Sequence, residues 1–215
     1  MNRIHGLYAV TPDDADSARL AEHVRAALEG GARVVQYRNK VADAPLRRYQ
    51  ATALCGLCRA HGAALIVNDD VDLAIAVEAD GVHLGGEDGS IAAARARLGP
   101  HKLLGASCYR SLDNAARAIA EGADHIAFGS FFVSTVKPGA VRSTPSILTE
   151  ARQKFGVPVV AIGGITLDNA PALITAGADS VAVITALFGA PDIARAAREF
   201  NALFGNHHET KPKTL

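Results

Sequence analysis

The stretch "GLYAVTPDD" at residues 6–14 is strand-like up to Val10, then breaks into Thr-Pro-Asp-Asp with no glycine after the strand. An open doubly wound α/β sheet usually places a G-x-G-x-x-G turn at this point, where the backbone closes on a pyrophosphate. That turn is absent here. The same strand texture then recurs as "RVVQYR" (33–38), "ALIVND" (64–69), "GVHLG" (81–85), "LLGASC" (103–108), "HIAFGSFF" (125–132), "PVVAIGG" (158–164) and "SVAVIT" (180–185). Between these runs lie Ala-, Leu- and Arg-rich stretches such as "ARLAEHVRAALEGGA" and "NAARAIAEGADH", whose composition and spacing favour helix. Eight strands alternating with eight helices over about 200 residues predict a single-domain α/β protein, a (β/α)8 TIM barrel.

The punctuation agrees with that reading. Glycines at 31, 122 and 177 precede strands and suit the left-handed turn that closes a helix. Ser90, Ser111 and Thr166 are placed to cap helix starts, and a short helix is expected from Val71 to Glu78. The barrel is assigned to residues 1–204. The polar residues 205–215, ending "NHHETKPKTL", read as a frayed tail.

The chain has 215 residues, 49% of them hydrophobic, enough for one large core. Its 22 Lys and Arg balance 22 Asp and Glu, so no global field draws it to nucleic acid or to an anionic membrane. No apolar run is long enough to span a bilayer. Three cysteines and no secretory pattern at the N-terminus point to the cytoplasm. Any cluster of cations therefore serves a local purpose, and small-molecule substrates are the expected partners.

In such a barrel the active site lies at the C-terminal ends of the strands. The second strand ends in "VVQYRNK" (34–40), and residues two apart share a face, so Gln36, Arg38 and Lys40 line up as an anion cradle. Lys137 can add a fourth group from across the mouth. The alternative is that Arg38 and Lys40 simply reach solvent. Asp69 and Asp88 follow neighbouring strands, and two hard oxygen ligands beside such a cradle suit Mg²⁺ shared with a diphosphate. Asp70 reads instead as a helix cap. His83 reads either as a hydrogen-bonded barrel residue or as a ligand.

Across the mouth, "AIGGI" and "AVITAL" offer a second anion site, in which Gly163 and Gly164 admit close backbone approach beside Ile184 and Thr185. This is the usual phosphate station of the fold. Cys55 and Cys58 form a CxxC inside a helical run, with no second pair, and read as small apolar helix residues.

Taken in order, "VVQYRNK", "LIVNDDVDLA", "DGVHLGGED", "LLGASCY", "FGSFFVSTVKPGAV", "VPVVAIGGITLDNA" and "GADSVAVITALF" resemble the thiamine phosphate synthase family over nearly the whole chain. The resemblance implies joining of 4-amino-2-methyl-5-pyrimidinylmethyl diphosphate to thiazole phosphate, with release of pyrophosphate, in thiamine biosynthesis. It implies that Gln36, Tyr37, Arg38, Asn39, Lys40, Asn68, Ser107 and Lys137 hold the pyrimidine diphosphate. Arg38, Lys40, Lys137 and Ser107 would carry the catalysis. Asp69 and Asp88 would bind Mg²⁺. Ser134, Thr135, Val136, Gly164, Ile184 and Thr185 would hold the thiazole phosphate. The implied mechanism is dissociative: pyrophosphate leaves, a pyrimidinylmethyl cation forms, and the thiazole nitrogen captures it.

The loop after strand six departs from the family pattern Phe-Pro-(Thr/Ser)-x-Thr-Lys. It reads Phe132-Val133-Ser134-Thr135-Val136-Lys137, without the proline and without the last hydroxyl. Two other readings share the barrel. A thiazole tautomerase would need a histidine base near strand five, where this chain has Ser107, Cys108 and Tyr109. A phosphate-sensing barrel would have no use for the paired carboxylates.

Overall fold

The structure is a computed structural model that describes residues 4–86, 88–133 and 142–205. Eight parallel strands close on themselves in sequence order. They are β1 (Gly6–Val10), β2 (Val34–Tyr37), β3 (Ala64–Asn68), β4 (Gly81–Leu84), β5 (Leu103–Tyr109), β6 (His125–Gly129), β7 (Val159–Ile162) and β8 (Ser180–Val183). The closing pair is β1 with β8, in register from Gly6 opposite Ser180 to Ala9 opposite Val183. The expected (β/α)8 barrel is the observed fold.

Strand alternation sorts the core into two compartments. Tyr8, Val10, Val34, Ile66, Ala127, Val160 and Ala182 fill the barrel interior. Their sequence neighbours, such as Leu7, Ala9, Val35, Leu65 and Val181, face outward onto the helices. The helices are α1 (Ser17–Glu29), α2 (Ala44–Ala60), α3 (Val71–Ala76), α4 (Ile91–Leu98), α5 (Leu112–Ala120), α6 (Ser146–Lys154), α7 (Ala170–Thr175), α8 (Thr185–Phe188) and α9 (Ile193–Gly205). α1 buries Leu20, Val24, Ala27 and Leu28, the i, i+4, i+7, i+8 stripe of an amphipathic helix. α9 does the same with Ile193, Ala196, Ala197, Phe200 and Phe204. No helix among the described residues is long and apolar enough to cross a membrane.

The helix ends follow the residues expected to make them. Ser90 and Ser111 accept from Ala93 N and Asn114 N, and Asp70 accepts from Leu73 N. Gly31, Gly122 and Gly177 all have positive φ. Thr166 is different. α7 begins only at Ala170, and Thr166 instead donates its backbone N–H to Asn169 Oδ1 within the preceding turn. The last connection also holds two helices rather than one, a four-residue α8 and then α9. α9 runs one residue past the expected barrel end, and residues 206–215 of the expected tail lie outside the described residues.

At the N-terminal end of the barrel an Ala-Asp pair recurs before β4, β6 and β8. Each aspartate accepts from the backbone of a neighbouring strand: Asp80 from Leu65 N, Asp124 from Leu104 N and Asp179 from Val159 N. Arg95 and Arg152 close on Asp124 and Asp179. These contacts satisfy strand ends at the end of the barrel opposite the mouth, where polar residues serve stability.

Candidate active site

β2 stops at Tyr37, earlier than the sequence suggests, because the chain after it is held by the turn that follows β1. Thr11 Oγ1 donates to Arg38 O at 2.8 Å and accepts from Arg38 N at 2.9 Å. Asp13 Oδ1 accepts from Lys40 N at 2.7 Å. Gln36, Arg38 and Lys40 thus do not form one strand face. Gln36 is buried inside the barrel and donates to the Tyr8 hydroxyl at 3.0 Å. Arg38 lies past the strand end with Nη1 at 3.0 and 3.1 Å from the two Asp13 oxygens. Lys40 is exposed, with Nζ 3.2 Å from Asp69 Oδ2.

The alternate residues turn toward α2. The Tyr37 hydroxyl donates to Gln50 Oε1 at 2.8 Å, and burial pushes its pKa up to about 12. Asn39 Nδ2 donates to Asp14 O and Gln50 Oε1, and Asn39 Oδ1 accepts from Ala42 N. Both side chains are buried and engaged in holding the loop.

The carboxylates come together. Asp69 follows β3 with φ 63, a left-handed conformation that Asp tolerates better than most residues, and its N–H is held by His83 O at 2.8 Å. Asp88 Oδ2 accepts from Gly85 N at 3.0 Å. Loss of water around the Asp88 carboxyl and the adjacent Asp69 side chain both raise its pKa, and the two acids line one cleft. A cleft of about 510 Å³ opens over them, lined by Lys40, Arg47, Asn68, Asp69, Asp88 and Arg97. Two facing carboxylates fit a hard divalent cation that draws its remaining oxygens from phosphate and water.

Below this cleft the barrel interior is polar. His83 Nε2 lies 2.9 Å from Ser107 Oγ, and a bulge between Ser107 and Tyr109 re-aims that end of β5. His83 is pushed down to about 4 by burial, partly opposed by Asp69. His125, fully buried on β6, is pushed down to about 3 by burial and then by His83.

On the opposite side, Gly163 and Gly164 have φ of +107 and +64. A Cβ on Gly163 would lie 2.1 Å from Ser130 Oγ, and one on Gly164 would lie 2.3 Å from Val133 O. Only glycine fits there, since the segment after β6 crosses directly over the turn. Asn169 Nδ2 pins that turn by donating to Gly164 O at 3.0 Å. Ile184 packs on the barrel interior, and Thr185 starts α8 at the surface. Ser134, Thr135, Val136 and Lys137 lie outside the described residues.

Cys55 and Cys58 are buried in α2, and burial raises both thiols, Cys58 to about 12. Buried Cys108 is likewise raised to about 12. Sequence reasoning passed over Thr11, Asp13, Tyr8 and His125. The C-terminal-end rule that flagged the other strand ends applies equally to Asp13 after β1. Alternation with Ala127 marks His125 as inward-facing.

The family profile described as thiamine monophosphate synthase matches residues 7–187. The chain belongs to the thiamine monophosphate synthase family. Membership makes it an enzyme, a transferase of thiamine biosynthesis. It is 55% identical over 201 residues to the thiamine-phosphate synthase of Methylobacillus flagellatus, covering 94% of this chain and 96% of that one. It is 56% identical over 203 residues to the thiamine-phosphate synthase of an Azoarcus species, covering 94% and 98%. Among solved structures, thiamine phosphate pyrophosphorylase from Pyrococcus furiosus superposes with a TM-score of 0.84 at 38% identity, covering 95% of this chain and 97% of that one.

Proposed function

We propose that the barrel mouth joins 4-amino-2-methyl-5-pyrimidinylmethyl diphosphate to thiazole phosphate, giving thiamine phosphate and pyrophosphate. As a member of its family the enzyme transfers the pyrimidinylmethyl group and releases pyrophosphate. The observation that supports these substrates is the meeting of Lys40, Asp69 and Asp88 in one cleft, with Lys40 on the loop that also carries Arg38. Cations and paired acids so close together suit a diphosphate carried with a divalent metal.

The diphosphate end is taken by Arg38, Lys40 and Lys137, with Gln36, Asn68 and Ser107 beneath. Tyr37 and Asn39 support that loop from behind. Asp69 and Asp88 are the residues that would hold Mg²⁺, which would supply charge neutralisation for the departing pyrophosphate. Arg38 and Lys40 add cationic stabilisation where charge develops, the largest lever available to a reaction without a protein nucleophile. The bond to the pyrimidinylmethyl carbon breaks first, and the thiazole nitrogen then attacks the cation. Gly164, Ile184 and Thr185, with Ser134, Thr135 and Val136, anchor the thiazole phosphate so that its nitrogen is aimed at that carbon.

The test is pyrophosphate release measured with both substrates, with each alone, and with Mg²⁺ replaced by chelator. Release that needs both substrates and the metal supports the assignment. Release with the diphosphate alone at the same rate, or none under any condition, counts against it.

A further inference from the structure

Side chains join the turn after β1 to the loop after β2. Thr11 N still donates to Gln36 O at 2.9 Å, as a strand residue would. Two residues further along β2's exit, the Thr11 hydroxyl takes Arg38 N and donates to Arg38 O. Asp13 Oδ1 then accepts from Lys40 N at 2.7 Å. Asp13 does one thing more. Its two oxygens lie 3.0 and 3.1 Å from Arg38 Nη1. One carboxylate therefore holds both the backbone of the loop and the guanidinium that the loop carries.

For a loop that receives an anion, this aspartate has a cost. Its negative charge offsets that of Arg38 and repels a diphosphate. What it gives in return is direction. An arginine carries five N–H donors in one rigid, planar fork. Asp13 engages the Nη1 end alone. Among the described residues, Nε and Nη2 donate to no protein group and are not sealed off from solvent. Only 14% of the Arg38 side chain is exposed, so the stem is enclosed while part of the fork stays open. Fixing one end of a planar fork fixes the rest. The free edge can then take two phosphate oxygens side by side.

We infer that Asp13 is a positioning residue that acts through Arg38, aiming the free edge of its guanidinium at the departing diphosphate. The inference rests on the proposed role of Arg38 at that diphosphate.

Asp13→Ala and Asp13→Asn both remove the negative charge, but only asparagine keeps an oxygen that can accept from Arg38 and Lys40. Single-turnover pyrophosphate release, at saturating enzyme and thiazole phosphate, should fall roughly tenfold in Asp13→Ala. Most of that rate should return in Asp13→Asn, and the thiazole-phosphate KM should hold in both. In an Arg38→Ala background, Asp13→Ala should bring no further loss, because the group it orients is gone. A tenfold loss that persists there means Asp13 serves only the loop backbone at Lys40, and overturns the inference. Equal losses in Asp13→Ala and Asp13→Asn, or no loss in either, also overturn it. Should Asp13→Ala fail to fold, Asp13→Ser, with a shorter side chain and no charge, takes its place in the same cycle. A wild type that releases no pyrophosphate under any condition sinks the diphosphate reading and this inference together. Each of the other adverse outcomes sinks the inference alone.

Discussion

Lys40 Nζ lies 3.2 Å from Asp69 Oδ2, which ties the β2 loop to the end of the adjacent strand β3 at the barrel mouth. The lysine side chain is about half exposed, so the pair contributes little to stability. It is therefore easy to exchange. Under the proposed function, a diphosphate would take Lys40 and a divalent cation would take Asp69. Arg38 and Asp13 form a second, less exposed pair, between the same β2 loop and the turn after β1.

Asp69→Asn and Asp88→Asn should each lower turnover about a hundredfold or more, the scale for losing an electrostatic partner of the transition state. Neither change empties a packed core, so thermal unfolding should move little. Asp88→Asn also removes a raised-pKa acid from beside Asp69, and a small rise in stability is the expected direction. Pyrophosphate release across a Mg²⁺ titration checks this. Near-normal turnover in both variants without added metal would remove the metal assignment.

Neighbouring residues of the β2 loop should separate chemistry from stability. Arg38→Ala and Lys40→Ala should slow single-turnover bond breaking by tenfold or more while folding normally. Asn39→Ala loses three hydrogen bonds at a buried site and should cost about 2–3 kcal/mol of stability, with turnover per folded molecule largely kept. Denaturant melts beside stopped-flow traces distinguish the two classes. The opposite ordering would mean that the loop takes another path in the complex.

Gly164→Ala puts a methyl 2.3 Å from a backbone oxygen that has no flexible end to swing away. The segment through Val133 must then move, and the thiazole-phosphate KM should rise by about tenfold while the pyrimidine-diphosphate KM holds. Gly156→Ala is the control, since nothing lies within 4 Å of its Cβ. Equal effects of the two changes would detach Gly164 from the second anion site.

The buried histidines should make the fold sensitive to mild acid. In the unfolded chain His125 takes up a proton around its ordinary value of 6.5, but in the folded protein only near 3. Between those values the unfolded state binds more protons, so stability falls as pH drops. His83 acts in the same sense down to about 4. Asp14, held below its usual range by Arg19, begins to lose its contribution only at lower pH. The melting temperature should therefore decline from pH 7 to 5, and less steeply in His125→Phe. A flat profile in the wild type would contradict the burial of these rings.

The sequence by itself determined the barrel, the strand order and which residues of each strand face inward. Those features depend on local periodicity and turn chemistry, which neighbours along the chain impose on one another. "GLYAVTPDD" and its seven counterparts carry that information directly, as do the caps at Ser90 and Ser111. The positions of Asp69, Asp88, Gly163 and Gly164 at strand ends were legible for the same reason. The actual end of β2 was not, because the turn residues Thr11 and Asp13 hold a segment 27 residues further on. The partnership of His83 with Ser107 likewise depends on the relative stagger of adjacent strands. Alternation specifies the face of a residue but not its height along the barrel axis. That height is set by closing all eight strands together, so only the tertiary structure decides which polar groups meet.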